Sequence, residues 1–133
     1  ALALLAAARR PRITAVAADT PLALGHPELL EHDLAYPLAE LTDYLRVYPH
    51  RKEAILGSTA PLDPVAAAPK VEASVLLSLG RRDRGLCPLR IVELLAARLP
   101  HCDLRVYDGA SEGGGHPHSV IREAWLREQL GGG

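Results

Sequence analysis

Residues 73–83 read Ala73-Ser74-Val75-Leu76-Leu77-Ser78-Leu79-Gly80-Arg81-Arg82-Asp83. The first seven are apolar or small on both faces of an extended chain. A short run without polar alternation suits a central strand of a parallel sheet that helices cover on both sides. Gly80 closes the run, and Arg81-Arg82-Asp83 opens a polar loop at its carboxyl end. Parallel α/β sheets carry their chemistry at that end.

Two further runs read as strands. Ile13-Thr14-Ala15-Val16-Ala17-Ala18 lies upstream, and the shorter Asp103-Leu104-Arg105-Val106-Tyr107 lies downstream. Helical stretches alternate with them. Residues 1–9 are rich in Ala and Leu, the best helix formers. Leu38, Leu41, Leu45 and Tyr48 recur at spacings of three and four, which gives one apolar face. Residues 89–99 follow Pro88, a residue suited to a first helical turn. Ser119 is expected to cap a last helix running to about residue 130, with Val120, Ala124 and Trp125 inward.

This alternation predicts an α/β fold: three parallel strands flanked by helices, in one unit over residues 1–133. Residues 26–69 exceed what a crossover needs. Pro27, Pro37, Pro49, Pro61, Pro64 and Pro69 break them into short pieces, so they read as a helical insertion or cap between the first two strands. The first strand is too apolar to be an edge, because unpaired backbone beside apolar side chains invites another chain. The expectation is that a further part of the protein, or a second copy, covers it.

Composition narrows the function. With 15 basic and 16 acidic residues and a formal charge of −1, no patch favours nucleic acid or an anionic membrane. No apolar stretch reaches the roughly 18 to 20 residues of a membrane span. Residues 1–8 are apolar, but Arg9-Arg10 follow them, the reverse of a secretory signal. The chain contains no methionine, so it is expected to be part of a longer product. Cys87 and Cys102 are too few for a disulfide framework, and a reducing, cytoplasmic setting is expected.

Beyond the second strand stands Asp83. Beyond the third, residues 107–118 read Tyr107-Asp108-Gly109-Ala110-Ser111-Glu112-Gly113-Gly114-Gly115-His116-Pro117-His118. An aspartate after one strand and a histidine-bearing loop after the next is the Asp, His part of the Ser…Asp…His order of α/β-hydrolases. Asp83, His116 and His118 are therefore the candidate catalytic residues. The plainer readings are a turn aspartate beside Gly80 and a solvated Gly-Pro loop. His-x-His with no further donor nearby does not make a zinc site, and neither metal nor cofactor is expected.

The chain resembles the acetyl xylan esterase and cephalosporin-C deacetylase family of carbohydrate esterases. Asp83 with Cys87-Pro88 is similar to that family's Gly-x-x-Asp-x-x-Cys-Pro loop. Tyr107 with Glu112-Gly113-Gly114 is similar to its Tyr-Pro-x-x-x-His-Glu-Gly-Gly loop. Ala18-Asp19-Thr20-Pro21, Tyr36 with Glu40 and Tyr44-Leu45, and Leu62-Asp63 match further segments in order. The resemblance implies the C-terminal half of a Ser-His-Asp esterase that deacetylates carbohydrates or small esters. The serine would lie in a preceding half, just upstream of residues 1–8, and the family forms symmetric oligomers.

Three departures stand beside it. The Asp83 loop has one extra residue before Cys87. Leu22 stands where the family has Phe. Ser111 stands where the resemblance puts the triad histidine. A serine cannot shuttle a proton near neutral pH, whereas imidazole can. His116 and His118 follow five and seven residues later, and five extended residues reach up to roughly 17 Å. A second reading is therefore a hydrolase-like module that has lost catalysis and serves in assembly or binding.

Overall fold

The computed structural model describes residues 1–83, 87–109 and 112–131. Three parallel strands, β1 (Ala15–Asp19), β2 (Ser74–Gly80) and β3 (Cys102–Tyr107), form one sheet in the order β1-β2-β3. Asp19 pairs with Ser78, and Gly80 pairs with Tyr107. All three carboxyl ends therefore share one rim.

β2 is central because its residues can be buried on both faces. Val75, Leu76, Leu77 and Leu79 are buried, and so is Ser78. A buried hydroxyl costs free energy unless it is hydrogen-bonded, and Ser78 Oγ donates to Asp19 Oδ1 at 3.0 Å. β1 pairs only with β2 among the described residues, so its other edge is open there.

Helix α1 (Leu2–Arg9) buries Leu4 and Ala7 against β1 and the end of the insertion. The insertion holds α2 (Ala39–Val47), α3 (Lys52–Thr59) and α4 (Pro64–Ala67), joined by short 3-10 turns. α2 and α3 bury none of their residues fully. The insertion is tied at its neck, where Asp63 caps α4 by accepting from the Val65 N–H at 2.9 Å and meets His26 Nδ1 at 3.3 Å.

Helix α5 (Leu89–Arg98) starts after Pro88 and buries Ile91, Val92 and Leu95, which fall on one helical face. Helix α6 (Gly115–Gly131) begins four residues before the expected cap. Ser119 lies inside it, and its hydroxyl donates to Gly115 O at 3.3 Å. Val120 is 58% exposed and Ala124 also faces outward, contrary to the apolar reading of this helix. His118 and Arg122 face the sheet instead, because Asp19 supplies them with a partly buried acceptor. No described helix is long and apolar enough to cross a membrane.

Candidate active site

The strand-end rim is built by backbone first. Arg81 N–H donates to Tyr107 O at 2.6 Å and Arg82 N–H donates to Gly109 O at 3.3 Å. The loop after β2 and the loop after β3 thus leave the sheet side by side. Asp83 N–H turns back onto Gly80 O at 2.9 Å, which ends the strand. On the other side, Thr20 N–H donates to Ser78 O at 2.8 Å and takes a left-handed φ of 48°.

Asp83 stands half-buried on this rim. Partial loss of water raises its carboxyl pKa above the ordinary value. Its side chain makes no hydrogen bond or ion pair among the described residues. Its charge is felt by Cys87, whose thiol is pushed up to about 12, first by burial and then by Asp83. Cys87 Sγ is held by Pro21 O at 2.9 Å. A thiol so protonated is no nucleophile.

The loop after β3 reverses through three successive left-handed glycines, Gly113 (φ 58°), Gly114 (φ 107°) and Gly115 (φ 61°). These conformations cost little only without a Cβ. At Gly114 a Cβ would also lie 2.5 Å from Tyr107 Cε2 and 2.8 Å from His118 Cβ. Glycine there lets Tyr107 and His118 meet.

They meet in a polar cluster. His118 is 1% exposed. Its Nδ1 lies 2.7 Å from the Tyr107 hydroxyl and its Nε2 lies 3.1 Å from Asp19 Oδ1. A carboxylate can only accept, so Nε2 carries a proton and donates to Asp19; in the neutral ring Nδ1 then accepts the Tyr107 O–H. Asp19 also accepts from Ser78 Oγ and, on its other oxygen, from Arg122 Nη1. Every polar atom of the imidazole is thereby satisfied, as burial requires.

His116 is exposed. With Asp19, Thr20, Gly115, Ser119 and Arg122 it lines an open, mostly polar cleft of about 550 Å³. Thr20 Oγ1 has no hydrogen-bond partner among the described residues. Ser111 lies outside the described residues. The structure thus brings His118 to Asp19 and Tyr107 and sets His116 in the neighbouring cleft, with Asp83 on the same rim. Sequence reading met Asp19 as a motif residue and gave it no chemical role. Its partner His118 is 99 residues away, and Arg122 carried no signal at all.

The family model for acetyl xylan esterase matches residues 1–128. The chain belongs to the acetyl xylan esterase family. Acetyl xylan esterase 1 from Thermoanaerobacterium sp. JW/SL YS485 superposes with a TM-score of 0.82 at 22% identity, over 96% of this chain and 42% of that one. Acetyl xylan esterase from Paenibacillus sp. R4 gives 0.77 at 24% identity, over 94% and 41%. A 2,6-dihydroxy-pseudo-oxynicotine hydrolase gives 0.66 at 19% identity, over 97% and 37%. These likenesses establish the α/β-hydrolase fold, and the chain spans about two-fifths of the length of these structures. No curated protein matches the chain.

Proposed function

We propose that this chain is the C-terminal part of a carboxylic-ester hydrolase that removes acetyl groups from carbohydrate or related small esters. Gly109-Ala110-Ser111-Glu112-Gly113 has the Gly-x-Ser-x-Gly spacing, but in the resemblance Ser111 occupies the position of the triad histidine and not that of the nucleophile, so in this reading the nucleophile and oxyanion donors come from a preceding part of the protein. Asp83 orients the catalytic imidazole. His116 supplies that imidazole, because it faces the cleft while both nitrogens of His118 are committed to Tyr107 and Asp19.

The chemistry then runs by general base and nucleophilic catalysis. The serine oxygen attacks the acetyl carbonyl as its proton passes to His116. The tetrahedral oxyanion collapses, and the same proton leaves with the sugar hydroxyl. Water, deprotonated by His116, then attacks the acetyl-serine; the second tetrahedral oxyanion collapses to release acetate, and His116 returns the proton to the departing serine oxygen. Asp83 holds the imidazolium formed in each step. Its partial desolvation makes a neighbouring cation more favourable than it would be in bulk water.

One observation carries this reading. The backbone bonds from Arg81 to Tyr107 and from Arg82 to Gly109 hold the chain after β2 beside the chain after β3 where both leave the sheet. The test joins the chain to its natural upstream sequence and measures p-nitrophenyl acetate hydrolysis. Turnover that fails in a His116→Ala variant supports the assignment. A folded protein without turnover overturns it.

A second reading, a non-catalytic module acting in assembly or binding, is favoured by Ser111 at the position of the family's triad histidine. An upstream sequence without a serine elbow would decide for it. The open edge of β1 is the surface that the preceding part, or a second copy, would cover. With both cysteines free, the setting we propose is cytoplasmic.

A further inference from the structure

We infer that His118 is a positioning residue, which with Tyr107 and Asp19 clamps the first turn of α6, the turn that presents the catalytic imidazole. This rests on the esterase reading above for its catalytic consequence, but the clamp itself stands on geometry. Tyr107 is the last residue of β3 and His118 lies in the first turn of α6. Their hydrogen bond at 2.7 Å therefore ties the end of β3 to the first turn of α6. The ring of Tyr107 lies edge-on to that of His118, with centroids 5.3 Å apart.

The clamp is anchored to the opposite side of the rim. His118 Nε2 donates to Asp19 at the end of β1, and Arg122, one turn further along α6, donates to the same carboxylate. Ser78 Oγ, from β2, completes the ring of donors. The ends of all three strands are thus tied to the start of α6 through side chains, of which His118 and Ser78 are fully buried.

The imidazole of His116 stands two residues from this anchor, and the residue between them is Pro117. Proline fixes its own φ near −65°, and the residue before it is confined to few conformations. Fixing His118 therefore fixes the backbone from which the His116 side chain departs. A base displaced by about an ångström can cost on the order of 100-fold in rate.

The experiment uses the full-length protein and the variants His118→Gln, His118→Leu and Tyr107→Phe. The glutamine amide can donate to Asp19 and accept from Tyr107, as the imidazole does, whereas leucine can do neither. The expected result is kcat for p-nitrophenyl acetate down by about 100-fold in His118→Leu with KM nearly unchanged, and restored to within a few-fold in His118→Gln. A glutamine variant as inactive as the leucine variant would make His118 the base itself and overturn the inference. So would a leucine variant as active as wild type.

Amide hydrogen exchange of Gly113, Gly114 and Gly115 reads the clamp without any turnover. Exchange at least tenfold faster in Tyr107→Phe, which keeps the ring and loses only the hydroxyl, supports it, and unchanged exchange overturns it. Tyr107→Phe also answers if His118→Leu does not fold. Absence of hydrolysis in the wild type would remove the esterase reading alone, since the exchange rates still judge the clamp.

Discussion

Replacing Gly113 by alanine should be among the most damaging single-methyl changes on the rim. A Cβ built at Gly113 would lie 2.5 Å from Ser78 Oγ, 3.2 Å from Asp19 Cβ and 3.3 Å from Thr20 Oγ1. The residue also holds a φ of 58°, which costs a non-glycine residue about 1 to 2 kcal/mol. Ser78 has no room to retreat, because it is fully buried in the central strand. To admit the methyl group, its hydroxyl must give up the 3.0 Å bond to Asp19. Hydrogen bonds to charged groups contribute about 1.5 to 3 kcal/mol. The expected loss is about 2.5 to 5 kcal/mol, read as a lower urea midpoint at unchanged m-value, followed by the fluorescence of Trp125. Ser78→Ala removes the clashing oxygen, so the double variant should recover at least about 1 kcal/mol relative to additivity. A Gly113→Ala loss under about 1 kcal/mol, or strict additivity in the double variant, would refute the packing described for this rim.

Asp83→Asn should stabilise the fold above the carboxylate titration range while strongly slowing hydrolysis. Burial raises the folded-state pKa of Asp83 above its unfolded value, so the folded state binds the proton more tightly. Stability is then lost as pH rises through that window, and the asparagine variant should match wild type only in acid, as unfolding at pH 3 and pH 7 will show. Cys87, with its thiol pushed up to about 12, should escape iodoacetamide at pH 8 in the native protein and react after denaturation, by mass spectrometry. The chain expressed by itself should self-associate through the open edge of β1, and a clean monomer in light scattering would contradict this.

The sheet was legible because β2 is apolar or small on both faces and closes on Gly80, a pattern that suits a central strand. The observed strands begin and end within two residues of the sequence reading. α6 was harder, for two physical reasons. Its start depends on three left-handed glycines, which the sequence presents only as a pliable run. Its inward face is set by His118 and Arg122 meeting Asp19, so apolar periodicity pointed to Val120 and Ala124 instead. Asp83, His116 and His118 were candidates on residue type and chain order alone. The bonds of His118 to Tyr107 and Asp19 were not legible, because nothing in local spacing brings Asp19 to residue 118. The insertion was legible from its prolines, but the contact of His26 with Asp63 at its neck was not.

The most direct test compares the full-length protein with its Asp83→Asn variant in kcat/KM for p-nitrophenyl acetate, with folding of both verified by circular dichroism. If Asp83 orients the catalytic imidazole, the variant should fall by about 10,000-fold, the scale on which removing an orienting carboxylate acts in such triads. Undiminished hydrolysis in the folded variant would show that the rim beside β2 and β3 is not where the ester is cleaved.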